Sequence, residues 1–114
     1  MVKYKKDMET IMVENTGNIE GKIAKEVILT PQEMLDKALM CNRIILPVGS
    51  SIKVHSHNPE AEIYYILEGE VSVVDNEQEV VLGVGDVVFT GNGDKHGIKN
   101  IGTSDAVFLA VILK

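Results

Sequence analysis

The three histidines of this chain and one glutamate form a pattern that is typical of a metal site. His55 and His57 stand two residues apart, Glu62 follows shortly after them, and His96 lies in a second, glycine-rich stretch. Imidazole nitrogens and carboxylate oxygens are ligands that divalent transition metals accept. No other histidine is present, and the pattern therefore predicts that all three serve one ion.

Strands are the elements that must position these side chains. From Leu39 onward, short runs rich in valine and isoleucine alternate with glycine, asparagine and proline, which is typical of an all-β sandwich or barrel. The predicted strands are Leu39–Leu46, Ser51–His57, Glu62–Leu67, Glu70–Asp75, Glu79–Leu82, Asp86–Thr90, His96–Asn100 and Ala106–Leu113.

Strand geometry explains how the four side chains meet. Residues two apart on a strand point to the same face, so His55 and His57 share one. Proline does not sit inside a central strand, and the chain must therefore turn at Asn58-Pro59 before it reaches Glu62. That turn lets the carboxylate point back at the two imidazoles, while His96 arrives from a distant hairpin.

Residues 1–38 are predicted to be an N-terminal arm, with the barrel over residues 39–114 in a single-domain chain. Met8–Glu14 and Lys22–Leu29 have the composition of strands. Thr30-Pro31-Gln32-Glu33 has the pattern of a capping box with proline at the first helical position, which predicts a short helix through about Lys37. The arm either packs against the barrel or extends the sheet of a neighbouring subunit.

Composition excludes several classes of function. The net charge is −6 with a single arginine, Arg43, which argues against a nucleic-acid partner. The longest apolar run, Ala106–Leu113, is too short to span a membrane, and the N-terminus does not resemble a signal peptide. Cys41 stands alone, so no intrachain disulfide forms. We expect a cytoplasmic protein with a buried, unreactive thiol.

The two histidine stretches resemble the two motifs of the cupin superfamily. The first motif is matched throughout, and the residues that match it are Gly49, His55, His57, Glu62 and Gly69. In the second motif Gly91 replaces a proline, and the residues that match are Gly85, Gly93, His96 and Asn100. The resemblance is to small single-domain cupins and implies a jelly-roll barrel, also called a double-stranded β-helix. It further implies a metal centre of three histidines and one glutamate, usually within a homodimer.

The resemblance also separates Glu62 from its neighbour Glu60, whose distance from His57 is too short for the motif. Glu60 is interpreted as a solvated turn residue, and Asn100 as a residue that holds a turn through hydrogen bonds. One divalent transition metal per subunit is expected, with Mn²⁺ or Fe²⁺ ahead of Ni²⁺ and Zn²⁺. Four protein ligands on an octahedral ion leave two positions open for a ligand.

Three residues are candidates for contact with a substrate, and each has a structural alternative. Tyr64 shares a strand face with Glu62 and either offers its phenol to substrate binding and catalysis or is a core tyrosine. Arg43 either clamps a carboxylate or forms a surface salt bridge. Lys53 either reaches the ligand or extends from the barrel end into solvent.

The sequence supports three functional hypotheses. The first is a metal-dependent enzyme of the dioxygenase, decarboxylase, isomerase or lyase type. Its substrate is a small oxygen-rich molecule, such as a carboxylate, keto acid or sugar, bound at the open metal positions. The second is a non-catalytic module that binds or senses a small molecule. The third is a barrel in which the metal mainly stabilises the fold.

Overall fold

The computed structural model describes residues 1–114, which form eleven β-strands and one short 3₁₀ helix at Lys5–Asp7. The strands in chain order are β1 (Thr10–Glu14), β2 (Ile19–Glu20), β3 (Lys22–Leu29), β4 (Ala38–Leu46), β5 (Ser51–Ser56), β6 (Ala61–Glu68), β7 (Val71–Asp75), β8 (Gln78–Leu82), β9 (Val87–Thr90), β10 (Lys95–Asn100) and β11 (Ala106–Leu113). All eight strands that the sequence predicts after residue 38 are present, with ends shifted by at most one residue.

Two antiparallel sheets make up the barrel. One has six strands in the order β1-β3-β4-β11-β6-β9, and the other has five in the order β2-β5-β10-β7-β8. Alternation along the strands directs one side-chain set into the space between the sheets. The fully buried members of that set include Ile44, Leu46, Ile66, Val73 and Phe108. The all-β jelly-roll expectation is confirmed.

The first 38 residues contribute strands to both sheets. β3 pairs with β4 and β1 pairs with β3, which extends the six-stranded sheet at one edge. β2 pairs with β5 in the other sheet. The N-terminal residues of this chain therefore close one side of the space between the sheets.

The predicted helix after Thr30 is wrong, although its capping box forms. The Thr30 backbone N–H donates to Glu33 Oε1 at 2.8 Å, and the Glu33 backbone N–H donates to Thr30 Oγ1 at 3.2 Å. The chain then leaves the helical conformation, because Leu35 and Asp36 take φ values of +54° and +55°. The Asp36 N–H donates back to the Pro31 carbonyl at 2.9 Å, which closes the turn. β3 and β4 are antiparallel neighbours, and a longer helix would carry the chain away from β4.

No helix of the structure is long and apolar enough to cross a membrane.

The register between strands brings the histidines together. In the five-stranded sheet β10 pairs with β5, and His96 lies directly opposite His55. The register shifts between His96 and Ile98, where a Cβ on Gly97 would lie 3.0 Å from the Val54 backbone nitrogen. Glycine at this position therefore lets β5 and β10 approach closely beside the two imidazoles.

Candidate metal centre

The structure brings all four predicted donors into one cluster. Their ligand atoms all lie within 4.8 Å of one another. Glu62 Oε1 is 3.0 Å from the Nε2 atoms of both His57 and His96, and 4.0 Å from His55 Nε2. His96 Nε2 lies 3.2 Å from His57 Nε2 and 3.0 Å from His55 Nε2. Glu62 lies on β6 of the six-stranded sheet. The histidines belong to the five-stranded sheet: His55 lies on β5, His57 directly follows β5, and His96 lies on β10.

The donor set fits a bound cation. His55 Nδ1 lies 2.7 Å from the Lys53 carbonyl oxygen, to which it donates, and its Nε2 therefore carries a free lone pair. Four atoms that accept hydrogen bonds or coordinate metals then face one another at short range, an arrangement that a cation at the centre stabilises. For metal–ligand bonds of about 2.1 Å, neighbouring ligands of an octahedral ion lie about 3.0 Å apart. Four of the five separations given above, 3.0, 3.0, 3.0 and 3.2 Å, have this spacing.

The surroundings favour the protonation state that ligation requires. His57, Glu62 and His96 are buried, and His55 is half-buried. Burial lowers the pKa of His55, and repulsion from His96 and His57 lowers it further. The hydrogen bond to the Lys53 carbonyl and the charge of Glu62 act in the opposite direction but do not cancel the effect of burial. A neutral imidazole at neutral pH is the form that binds a metal.

Tyr64 packs directly against the cluster. Its ring stacks on the His96 imidazole with a centroid separation of 4.6 Å and an interplanar angle of 9°, and it meets the Phe108 ring edge-on. Burial raises the pKa of the Tyr64 hydroxyl well above its usual value, and the Glu62 charge raises it further. The hydroxyl therefore stays protonated at neutral pH, where it is able to donate a hydrogen bond but not to act as a base.

A cavity of about 270 Å³ opens beside the four donors. His55, His57, Glu62 and Tyr64 line one part of it. Its remaining walls are mainly apolar, and the apolar side chains on them are Val13, Ile19, Ile23, Met40, Ile44, Ile52, Ala110 and Ile112. The volume lies near the lower end of the range for small-molecule sites, so the cavity suits a small ligand.

Two of the three predicted substrate contacts lie away from this cavity. Arg43 is on the outward face of β4, with its guanidinium 3.9 Å from Glu68. The Lys53 ammonium is exposed and lies 3.9 Å from Glu20. Neither side chain is among those that line the cavity, whereas Tyr64 is. Lys53 still contributes to the centre through its backbone carbonyl, which orients His55.

One lysine that was not predicted as a site residue, Lys25, does line the cavity. Lys25 lies on β3 between Ile23 and Val27, and these three alternate residues share one strand face. Ile23 is fully buried, so this is the inward face. The signal was a lysine in the apolar half of an alternating strand, a position at which lysine is uncommon.

The second-motif residues have structural roles that the local geometry explains. The buried Asn100 side chain donates to the carbonyls of Leu46 and Ser104 and accepts from the Gly102 N–H, each at 2.8 Å. It holds the turn after β10, as the sequence predicts. A Cβ at Gly91 would lie 2.8 Å from Ala61 Cβ, so glycine at this position relieves a crowded contact with the start of β6.

Two further atoms at the centre lack partners within the protein. Thr90 Oγ1 and His96 Nδ1 are buried without a hydrogen bond, and Thr90 lies opposite Glu62 in the β6–β9 pair. Buried polar atoms without partners are uncommon and are often found at functional sites.

Comparison with known proteins agrees with this geometry. The cupin-domain family profile matches residues 42–112. The chain is 39% identical over 113 residues to the oxalate-binding protein of Thermotoga maritima, a match that covers 99% of this chain and 93% of the relative. An uncharacterised protein of Methanocaldococcus jannaschii is 44% identical over 84 residues, covering 73% of this chain and 66% of that protein.

Solved structures give the same result. A Thermotoga maritima protein described as a predicted oxalate decarboxylase superposes with a TM-score of 0.92 at 39% identity, over 99% of this chain and 98% of that one. The TT1209 protein of Thermus thermophilus superposes with a TM-score of 0.70 at 32% identity, over 80% and 82% of the two chains. With a family match over more than half its length and a relative of this identity along nearly all of it, the chain belongs to the cupin family.

Proposed function

We propose that this protein binds one divalent transition metal through His55, His57, Glu62 and His96, and holds a small carboxylate at the remaining metal positions. The observation that carries the proposal is the convergence of three imidazole nitrogens and one carboxylate oxygen beside a cavity that His55, His57 and Glu62 line. The bound ion would supply a Lewis acid for oxygen ligands.

The mixed donor set bears on which metal is bound. Imidazole suits iron, nickel and zinc, whereas a carboxylate also suits manganese. We therefore rank Mn²⁺ and Fe²⁺ first, followed by Ni²⁺ and Zn²⁺. Elemental analysis of protein purified from cells grown without metal supplements, followed by competitive reloading of the metal-free protein, tests the ranking. Preferential binding of Ca²⁺ or Mg²⁺ would contradict it.

The ligand class follows from the cavity and from the relative that extends over the whole chain. Chelation by carboxylate, keto acid or sugar oxygens suits an ion with open positions, and the volume of about 270 Å³ favours a small molecule. The relative named an oxalate-binding protein supports carboxylates within that set. Calorimetric titration of metal-loaded protein with oxalate tests this, with metal-free protein as the control. Equal heats from both forms would contradict metal-dependent binding.

Catalysis is the second candidate function, and the relative described as a predicted oxalate decarboxylase favours it. Against it, Glu62 is the only carboxylate that lines the cavity, and the Tyr64 hydroxyl stays protonated. The cavity wall therefore offers neither a second carboxylate nor an ionised phenol as a general base. Release of carbon dioxide from oxalate by metal-loaded protein would establish catalysis, provided that His57→Ala abolishes it. Binding without turnover would establish the binding function.

We also propose that the protein is a homodimer. Exposed apolar side chains lie on the outer face of the six-stranded sheet at its β9 edge, where β9 carries Val87 and Phe89 and the adjacent β6 carries Tyr65 and Leu67. A patch of this kind marks an interface. Light scattering should give twice the chain mass of 12.5 kDa. Phe89→Glu should give the monomer mass, while Val48→Glu, at an exposed turn, should not; a monomeric wild type would refute the proposal.

A further inference from the structure

We propose that Lys25 binds the second anionic group of a ligand whose first carboxylate is held at the metal, so that the site selects dicarboxylates over monocarboxylates. This inference rests on the proposed function and adds the substrate class. Lys25 is the only lysine or arginine among the side chains that line the cavity, which His55, His57 and Glu62 also line.

The position of Lys25 is unusual for its residue type. It shares the inward face of β3 with Ile23, which is fully buried, and it is itself only partly exposed. A lysine on such a face loses hydration and is normally compensated by an acidic partner. No carboxylate lies within 4.0 Å of its ammonium, and the ammonium makes no hydrogen bond to the protein.

Neighbouring lysines show what compensation looks like in this chain. Lys3 and Lys5 pair with Glu33 and Glu26 at 2.8 and 2.7 Å. Glu26, next to Lys25 in sequence, points to the opposite face of β3 because successive residues alternate. The one lysine that faces the cavity is therefore also one that the protein leaves without a counter-ion, and a bound anion would supply it.

The charge of the loaded site favours a dianion. A divalent metal, partly neutralised by Glu62 and joined by the Lys25 ammonium, leaves the cavity with roughly two net positive charges. One dicarboxylate neutralises them, whereas a monocarboxylate leaves one uncompensated. Lys25 and Glu62 belong to β3 and β6, which β4 and β11 separate in the sheet. The ammonium and the metal donors therefore belong to separate strands that line one cavity, as two-ended recognition requires.

Paired ligands of matched size test the proposal. Mn²⁺-loaded protein is titrated with oxalate and malonate, and with formate and acetate as their monocarboxylate counterparts. The wild type should bind the dicarboxylates more tightly, and Lys25→Met should remove about 10- to 100-fold of that affinity, the value of a charge-assisted contact. Affinity for monocarboxylates and for Mn²⁺ should change little. Lys25→Arg should retain the preference, and Lys22→Met, at an exposed position on the same strand, should behave as wild type.

The outcomes separate this inference from the proposed function. Metal-dependent binding of mono- and dicarboxylates with equal affinity, or an unchanged dicarboxylate preference in Lys25→Met, would overturn the role of Lys25 and leave the metal site intact. Absence of any metal-dependent carboxylate binding by the wild type would overturn the proposed function itself. Loss of the preference in Lys25→Met with unchanged Mn²⁺ affinity would establish the inference.

Discussion

Removal of one donor from the cluster should remove most of the stabilisation that the metal gives the protein, without unfolding it. His57 suits this test, because its Nε2 lies 3.0 Å from Glu62 Oε1 and 3.2 Å from His96 Nε2. His57→Ala leaves three donors, and water takes the free position. None of the thirteen buried side chains of the hydrophobic core, which include Phe108 and Ile66, is a metal donor. The metal-free variant should therefore remain folded.

The size of the effect follows from linkage. At a free metal concentration of 100 times Kd, the wild type gains about 2.7 kcal/mol of unfolding free energy. Mutation of a residue that only orients a metal ligand weakens metal binding by about 10- to 100-fold. Loss of a direct ligand should weaken it at least as much, and we take the upper value. The variant then sits at its own Kd and gains only about 0.4 kcal/mol. For a chain of 114 residues, a difference of about 2.3 kcal/mol corresponds to about 9 °C in Tm.

Differential scanning calorimetry of metal-free and Mn²⁺-loaded protein measures this difference. Lys53→Ala is the matched control, since the exposed Lys53 side chain precedes the histidines on β5 and its backbone carbonyl, which orients His55, is retained. A full metal-induced rise in Tm for His57→Ala would refute the assignment of the ligands. Metal-free wild type that is already unfolded at 25 °C would instead support the hypothesis that the metal mainly stabilises the barrel.

Three further predictions follow from individual side chains. Metal affinity should fall as pH drops below about 6.5, because protons compete with the metal for the imidazoles. Burial holds the pKa of His55 below its usual value, so protonation of His55 competes only in more acidic solution. A metal content unchanged between pH 8 and pH 5 would refute this prediction. Asn100→Ala removes three hydrogen bonds of a buried amide and leaves two carbonyls and an N–H without their partner. The free energy of unfolding in urea should fall by about 2–4 kcal/mol. A decrease below about 0.5 kcal/mol would contradict this prediction. Gly69→Ala should lower the free energy of unfolding by about 1–3 kcal/mol, because φ at Gly69 is +84° and the new Cβ would lie 2.9 Å from Ala106 Cα. Gly83→Ala is the control and should change stability little, because open space surrounds Gly83. Equal effects of the two substitutions would exclude strain as the cause.

The barrel strands were predictable because each is a short apolar run closed by a turn residue. β3 was predicted with its observed ends, Lys22–Leu29, and β4 to β11 within one residue. The same local logic failed at Thr30, where the capping box forms but Leu35 and Asp36 turn the chain back toward β4. A capping box specifies how a helix begins but not how long it continues. Here the position of β4 requires the chain to turn back after one turn, and this tertiary requirement overrides the local preference.

The donor cluster was predictable for a different reason. Histidine is rare in this chain, and the spacing of His55, His57, Glu62 and His96 matches a motif, so residue type and spacing together indicated a shared site. Lysine is common on surfaces, and the only sequence feature that sets Lys25 apart from Lys53 is its place between Ile23 and Val27 on an otherwise apolar strand face. That feature points to a cavity only when it is known which face of the strand is covered. The structure provides that information: Lys25 faces the cavity, and Lys53 lies on the surface near Glu20.

The division of the cavity between two parts of the chain bears on ligand selection. The residues that the family profile matches, 42–112, include all four metal donors and Tyr64. Lys25 and several apolar wall residues, such as Ile19 and Ile23, precede that range. On the proposed function, proteins that share the motifs would share the metal, whereas the N-terminal strands would determine which ligand completes its coordination. Substitutions on the inward face of β3 should therefore change ligand preference while metal affinity stays constant, and substitutions among the four donors should lower both.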